Sequence, residues 1–428
     1  MKKVFSIVLA LVMALSVFSV MTLAEEAPVI TYEVISEVDK TCKVIGAKAG
    51  TTDLVIPAEV DGYKVVMLDN RAFWKNPEIQ TVQIPDTVTE IGQYVFSKTA
   101  LYKDEANWEN GVLYIGKFVI EAKTTLEGEY AIKDGTAVMA DAAFRGCNKL
   151  TKITIPEGME ALSLLAFREC VAMTDVVLPS TLKKIGAYAF FKCTALKAVT
   201  LPDGVKVIDR LAFNGSGLTE IAIPASVETI DDYAFCHCEN LTAINVAEAN
   251  EYYSSLNGIL YNKGKTTIIY APHKVDYSKV TFPETVTTIG KGAFEGAAFE
   301  EIEIPANVTT IETAAFEGCA NLKRVKIPAT VTDIGEGAFA GCHESFYIDA
   351  PADSYAYEYA EANGLLPNIF LGDVTGDGKV GAIDARWILQ YVAAMRPFTA
   401  DQFKAADING DGKVSALDVR LALQLASS

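Results

Sequence analysis

LKRVKIPATVTDIGEGAFAGC, Leu322 to Cys342, is the stretch that decides the fold. Leu322, Val325 and Ile327 make a short strand whose alternate side chains point inward. Pro328 has no N–H to donate and ends it. Val331 and Ile334 turn inward again, Gly335 allows a sharp corner, and Ala338-Phe339 close the unit on a tight turn or short helix. The phrase recurs. Phe144, Phe167, Phe190 and Phe213 stand 23 apart and Phe235 follows at 22, while Phe294, Phe316 and Phe339 continue at 22 and 23 and Phe73 and Phe96 open the series. Prolines keep step at Pro156, Pro179, Pro202 and Pro224, then at Pro283, Pro305 and Pro328. A period in the range of ~20–29 residues means that each unit is one coil of a solenoid. A lone coil cannot bury these residues, whereas stacked coils share one continuous core.

The unit L-x-x-I-x-I-P-x-x-V-x-x-I-G-x-x-A-F-x-G-C resembles the BspA-type (Treponema-type) leucine-rich repeat of bacterial surface proteins, from about Cys42 to Phe370. The resemblance implies a β-rich, right-handed solenoid with a parallel strand in each coil of 22–23 residues, occupying residues 25–370 with its caps. Residues 97–139 and 247–278 are longer, diverged units with matching NGVLY and NGILY phrases. Lys133 stands where a repeat proline would be, and Asp61 to Val65 reads as a hairpin-like insertion. Ser354 to Phe370 reads as a short helix and strand capping the open end. Tyrosines and a tryptophan gather in the insertions (Tyr102, Trp108, Tyr114; Tyr252, Tyr253, Tyr261, Tyr270), either as an adhesive patch or as plugs of a diverged coil.

Six of the eight cysteines (Cys147, Cys170, Cys193, Cys238, Cys319, Cys342) lie three residues after a repeat phenylalanine, where other units carry Ser216 or Ala297. A slot that accepts Cys, Ser or Ala holds a small buried side chain, so free thiols are expected rather than disulfides. Cys236-His237-Cys238 invites a zinc reading, but adjacent residues on a corner cannot all converge, and His273 and His343 lie in other repeat registers.

The chain of 428 residues carries a formal charge of −18, which argues against nucleic acid. Lys2 and Lys3, an apolar run from Val4 to Met21 and the small-residue exit at Ala24 read as a secretory signal peptide over residues 1–24, with the mature chain starting at Glu25. No later run is long and apolar enough to span a bilayer, so a secreted, soluble product is expected.

The C-terminus says one acidic phrase twice: DVTGDGKVGAID from Asp373 and DINGDGKVSALD from Asp407. Asp373, Thr375, Asp377 and Asp384 hold positions 1, 3, 5 and 12 of a loop, and Asp407, Asn409, Asp411 and Asp418 repeat the set. Gly378 and Gly412 permit the bend, and the backbone carbonyls of Lys379 and Lys413 complete the pattern. Alternate oxygens of a curled loop suit calcium, a hard cation that takes about six to eight of them. Two loops imply two ions. Position 12 is Asp rather than the Glu of an ordinary EF-hand, and neither loop follows a long amphipathic helix. After the loops, Ile388, Tyr391, Val392 and Met395 share a helix face, as do Leu417, Leu421 and Leu425, and Thr399 to Gln402 looks like a capping box.

This loop–helix duplication is similar to a type I dockerin, here a small all-α domain at residues 371–428. The resemblance implies docking onto a cohesin module of a scaffoldin, the organising protein of a cellulosome. It also implies partner-selecting residues at loop positions 10 and 11, here Ala382-Ile383 and Ala416-Leu417, with Gln390 and Gln424 corresponding between the copies. The competing role for Ile383 and Leu417 is packing in the domain's own core.

For the repeats, a non-catalytic binding module for a protein or glycan is the expected function. The outward strand positions Gln83, Thr154, Val177, Thr200, Ala222, Thr281, Glu303 and Lys326 form a mixed stripe without an aromatic series, which leans toward protein. A polysaccharide-degrading enzyme is the alternative, yet Glu220, Glu301 and Glu303 fall at different registers and no G-x-S-x-G, H-E-x-x-H or P-loop phrase occurs. A free secreted adhesin or inhibitor with a structural calcium clip is the remaining one.

Overall fold

The computed structural model describes residues 29–275, 277–366 and 371–427. The expected signal peptide, residues 1–24, and the end of the capping segment, 367–370, lie outside them. The chain divides into two compact units at Ile120/Glu121.

In the first unit, Ile30–Ser36 pairs antiparallel with Thr41–Ala47 and caps the entry to the stack. Thr41–Ala47 then pairs parallel with Tyr63–Leu68, which pairs parallel with Glu90–Ile91. The DGYKV insertion is a hairpin, Glu59–Val60 antiparallel to the start of Tyr63–Leu68. The first diverged unit holds a short helix, α1 (Ala100–Lys103), capped by the Thr99 hydroxyl, and a hairpin of Trp108–Glu109 with Val112–Ile115. Trp108 meets Tyr102 edge-on at 5.1 Å and donates its indole N–H to the Tyr102 carbonyl.

In the second unit the coils contribute short parallel strands on two sides. Ahead of the proline, Lys149–Thr154 lies between Glu127–Ala131 and Asp175–Val177, and Arg324–Lys326 between Glu301–Glu303 and Tyr347–Asp349. After it, two-residue strands such as Lys184–Ile185 and Val207–Ile208 stack in register. Between them the chain bends where the N–H three residues past the proline donates to the proline carbonyl, as from Leu182 to Pro179 and Val331 to Pro328. Thr136 does the same to Lys133, so the turn survives without the ring. The open end is closed by α2 (Tyr355–Ala362), capped by Ser354, and by Leu365, whose carbonyl accepts the Ile348 N–H.

The repeat phenylalanines form the spine. In the second unit, rings 144, 167, 190, 213 and 235 stack successively at 5.3–5.8 Å, and rings 294, 316 and 339 at 5.0–5.3 Å. Offset aromatic stacking adds ~0.5–1.5 kcal/mol per pair to area burial. Beside the rings runs a backbone ladder: Phe167 N–H to Ala189 carbonyl, Phe190 to Ala212, Phe213 to Ala234. Around Phe144, Phe167, Phe190, Phe294 and Phe316 the residues two before and two after donate to the next coil as well, as Leu165 and Glu169 do to Ala187 and Phe191. These flanking residues are the left-handed ones, Leu165 and Glu169 at φ 61° and 64°, Tyr188 and Lys192 both at 56°. Left-handed backbone costs a non-glycine residue ~1–2 kcal/mol, and the inter-coil hydrogen bonds hold it there.

That arrangement corrects the role expected of Gly335. It is not among the residues with positive φ; a Cβ there would stand 2.3 Å from the Thr313 nitrogen. Glycine is needed because two coils touch, and the corner itself belongs to Gly337 and Gly341.

All eight cysteines are free. Five of the six in the repeat slot donate their thiols to the carbonyl of the preceding coil's phenylalanine, Cys170 to Phe144, Cys193 to Phe167, Cys238 to Phe213, Cys319 to Phe294 and Cys342 to Phe316, while Cys147 donates to the Lys123 carbonyl. Burial pushes the thiols of Cys147, Cys193, Cys319 and Cys342 up to about 12, which keeps them protonated and inert.

The second diverged unit breaks this order. Tyr253–Leu256, Ile259–Asn262 and Thr267–Tyr270 form an antiparallel meander that rejoins the coils at Thr288–Ile289. Tyr261 and Tyr270 are buried, so these two plug the core; Tyr252 is exposed. Among the described residues, no backbone bond runs onward from the N–H groups of Tyr233, Phe235 or His237. Side chains bridge instead. Lys291 Nζ lies 2.9 Å from Asp232 Oδ2, and His237 Nε2 lies 2.8 Å from Glu295 Oε1. His273 gives its Nε2 proton to the Glu295 carbonyl at 2.7 Å, taking the place of a backbone N–H. Two histidines from different registers thus meet at one corner.

The hydrogen bond that His237 donates to Glu295 raises the His237 pKa above its ordinary 6.5, against burial; Glu239 and Glu317 add to the rise. Burial pushes Glu295 up, but the bonds from His237 and Cys236 hold it below 4.5. His237 therefore contributes stability that is complete below 6.5 and disappears as pH climbs through its raised value. Glu295 contributes above 4.5 and fails as pH falls through its lowered one. His273, lowered by burial, has the opposite sign to His237 and loses stability on acidification. His237→Gln should accordingly destabilise the protein more at about pH 6 than at about pH 9, read by thermal denaturation; an equal loss at both would show that the pair is not ionic.

Candidate metal centre

The C-terminal segment folds as α3 (Ala382–Val392), α4 (Ala400–Ala406) and α5 (Ala416–Leu425), with an acidic loop before α3 and another before α5. Its core is small: Val374, Ala385, Ile388, Ala405, Ala406 and Ala422. Tyr391 at the end of α3 stacks on Phe398 at 4.5 Å and meets Phe403 edge-on. The capping box at α4 is present, and Gln402 also reaches the Val374 carbonyl at 3.1 Å, tying the middle helix to the first loop.

Each loop is wound around its first and last aspartates. Asp373 accepts from the N–H groups of Gly376, Asp377 and Gly378, and Asp407 from those of Asp411 and Gly412. Asp384 accepts from Thr375 and Gly381, and Asp418 from Ile408, Asn409 and Ser415. Asp384 and Asp418 are buried at the first turns of α3 and α5, where Asp418 completes a capping box with Ser415 and Asp384 accepts the N–H of the N-cap Gly381. For Asp418, burial favours the neutral acid, but the Ser415, Asn409 and Ile408 donors outweigh it and keep the carboxyl below its usual range.

In the first loop, ligand oxygens of Asp373, Asp377 and Asp384 all lie within 4.8 Å of one another. Thr375 joins them through its hydroxyl, 3.1 Å from Asp373 Oδ1. Three carboxylates gathered this closely repel one another, and a hard cation removes the repulsion. The residues fit calcium. The second loop is looser: Asn409 donates its amide to Asp411 Oδ2, and its carboxylates do not form such a group among the described residues. Lys379 and Lys413 give their N–H groups to Asp377 and Asp411. The sequence reading missed a second glycine per loop. Gly376 and Gly410 have φ 76° and 68°, beside Gly378 and Gly412 at 80° and 79°. The signal was the doubled G-D-G phrase itself.

The expected helix faces do not all turn inward. Ile383 and Leu417 are 61% and 41% exposed, so neither is a core residue. Val392, Met395 and Leu425 are exposed too, and the buried positions of α3 and α5 are Ala385, Ile388 and Ala422 with the two aspartates. Ala382, Ala416 and Gln424 are exposed and Gln390 is half-buried. Ile383 and Leu417 thus stand outside the core next to Asp384 and Asp418, at equivalent places on two helices.

The BspA type leucine rich repeat region matches the chain in six copies, over residues 66–170, 114–242, 161–277 and 269–360. The Dockerin type I domain matches residues 371–422. Among solved structures, the chain is similar to a leucine-rich repeat protein from Eubacterium ventriosum (25% identity over 58% of this chain and 72% of that one, TM-score 0.43). It is also similar to a leucine rich cell surface protein from Faecalibacterium prausnitzii (25% identity, 79% and 98%, TM-score 0.40) and a leucine-rich repeat protein from Bacteroides ovatus (21%, 78% and 96%, TM-score 0.39). No curated protein matches.

Burial separates core from surface in this segment. Ile388→Ala should destabilise it by about 2–5 kcal/mol, whereas Ile383→Asp and Leu417→Asp should stay within about 0.5 kcal/mol. Helical circular dichroism during denaturation checks both, and a large loss for the aspartate variants would return these residues to the core.

Proposed function

Because the chain belongs to the BspA-type leucine-rich-repeat family and ends in a type I dockerin, we propose that it is a secreted, non-catalytic binding protein carried on a scaffoldin. The observation that carries this reading is the pair of exposed apolar residues, Ile383 and Leu417, each set beside a loop wound on aspartates. Exposed apolar side chains next to a charge-fixed loop suit a partner interface, where a buried apolar centre supplies the energy and its surroundings the orientation.

Two calcium ions would be held by Asp373, Thr375, Asp377, the Lys379 carbonyl and Asp384, and by Asp407, Asn409, Asp411, the Lys413 carbonyl and Asp418. The ions neutralise the loops and fix the entry of α3 and α5. Ala382, Ile383 and Gln390 on one helix, and Ala416, Leu417 and Gln424 on the other, meet the cohesin. The small side chains at 382 and 416 leave room for its surface. With a core made largely of alanine, this domain leans on its metal for stability.

Support for a binding role of the repeats is their surface chemistry. Charges on the strand face are paired from coil to coil: Lys183 with Glu160, Lys326 with Glu303, and Arg324 with both Glu301 and Asp349. Glu301 and Glu303, the acids of the enzyme alternative, therefore each face a base on the next coil. No helix among the described residues is long and apolar enough to cross a membrane.

The test is capture of cohesin-bearing proteins by the full chain, with calcium, with chelator, and with Ile383→Asp and Leu417→Asp combined. Capture that needs calcium and disappears in the double variant is expected. Capture in neither condition would leave a free secreted adhesin whose loops are only a structural clip.

A further inference from the structure

The coils from Phe144 to Phe213 treat their charges differently on two sides. Along the strands, lysines are matched by a carboxylate one coil away: Lys183 with Glu160, Lys184 with Asp209 and Lys206 with Glu228. Across the phenylalanine turns run Arg145, Arg168, Lys192 and Arg210. Arg168 pairs with Glu169, its neighbour in the chain, at 3.2 Å. Among the described residues, Arg145, Lys192 and Arg210 make no ion pair. The row is continuous, because Gly146 donates its N–H to the Arg168 carbonyl, Glu169 to that of Phe191, and Tyr188 to that of Arg210.

Two aromatic rings hold these cations in place. The Arg168 guanidinium and the Lys192 ammonium both lie over Phe191, at 5.1 and 5.4 Å, and the Arg210 guanidinium lies 5.9 Å from Tyr233 on the next coil. A ring face attracts a cation without neutralising it, and a stacked guanidinium keeps its N–H edge open. Lys192 and Arg210 are exposed, and Arg145 and Arg168 are half-buried. The acids nearest in sequence are engaged elsewhere: Asp209 by Lys184, Asp232 by Lys291, and Asp141 by the Leu164 N–H. Positive charge is therefore left over along the row. It recurs at the thickness of a coil, 5.3–5.6 Å between successive rings from Phe144 to Phe213.

In a chain of formal charge −18, such a row is a local field that favours an anion lying along the coil axis. The ligand has to present its acid groups at coil spacing. Side chains on one face of an extended peptide are ~6.4–6.8 Å apart, which slips out of step over four coils. A linear 1,4-linked chain of uronic acids carries one carboxylate per ring, and each ring is about as long as a coil is thick. Carboxylate is also the group that a guanidinium edge meets with two parallel hydrogen bonds. We propose that this turn ridge binds an acidic polysaccharide, one uronate to a coil, with Arg145, Arg168, Lys192 and Arg210 as its charge partners. The proposal rests on the reading of the repeats as a binding module and names its ligand class.

The experiment is calorimetric titration of the full chain, in calcium and in chelator, with 1,4-linked hexamers of galacturonate and of galactose and with hexaglutamate. The galacturonate hexamer should bind in both conditions, more weakly as salt rises, and about tenfold or more tighter than the other two. Arg145→Gln combined with Lys192→Gln should weaken it about tenfold or more, the range for lost hydrogen bonds to charged groups. Lys183→Gln combined with Lys206→Gln removes the same charge from cations already paired, and should leave affinity within about twofold. Melting temperatures of both double variants report folding separately. No uronate binding, hexaglutamate bound as tightly, equal loss in the two double variants, or binding only in calcium would overturn the proposal. Cohesin capture, run on the same preparation, separates the two readings: a chain that is captured but does not bind the uronate contradicts only this one.

Discussion

Everything in the repeat domain depends on the hydrogen bond from one phenylalanine N–H to the carbonyl before the next phenylalanine, 2.7–2.9 Å from coil to coil between Phe167 and Phe213. It sets the spacing at which rings can stack and brings slot residues of adjacent coils together. A buried N–H left without its partner would cost free energy comparable to a lost hydrogen bond, so the register cannot drift. The left-handed residues on either side of each ring, the contact glycines and the thiols turned on the previous coil's carbonyl are consequences of that spacing. Most of the core is therefore one contact repeated, and stability accumulates by nearest neighbours.

The second diverged unit shows what happens when the bond is withheld. The ladder stops at Phe235, Tyr270 lies against that ring at 6.2 Å, and ion pairs and a histidine ring take over at the edge. Side-chain bridges of this kind depend on pH and leave space between them. At this joint the stability of the repeats depends on the protonation of His237 and Glu295.

Much of this was legible in the residues. The phenylalanine period gave the coils, and the cysteine slot gave buried free thiols because Ser216 and Ala297 share it. The doubled acidic phrase gave the loops, down to the aspartates that wind them. What escaped was long-range or purely conformational. Gly335 reads as a corner in one coil and proves to be a contact between two. Leu417 and Leu425 carry the spacing of a core face but remain exposed, because the core of a segment this small is filled by alanines and the capping aspartates instead. His237, Glu295 and His273 meet only because the meander returns to the stack, and no pattern in the sequence fixes where it returns.

The chain thus joins two parts stabilised by different physics: stacked apolar coils, and a helical segment whose alanine-rich core leans on its acidic loops. On that division, the proposed docking would respond to calcium while the repeats stay folded. Hydrogen exchange of the full chain in calcium and in chelator tests it most directly. Amides of α3 and α5 should lose protection in chelator while those of the phenylalanine turns keep theirs. Protection of the helices unchanged by chelation, or lost throughout the coils as well, would contradict the account.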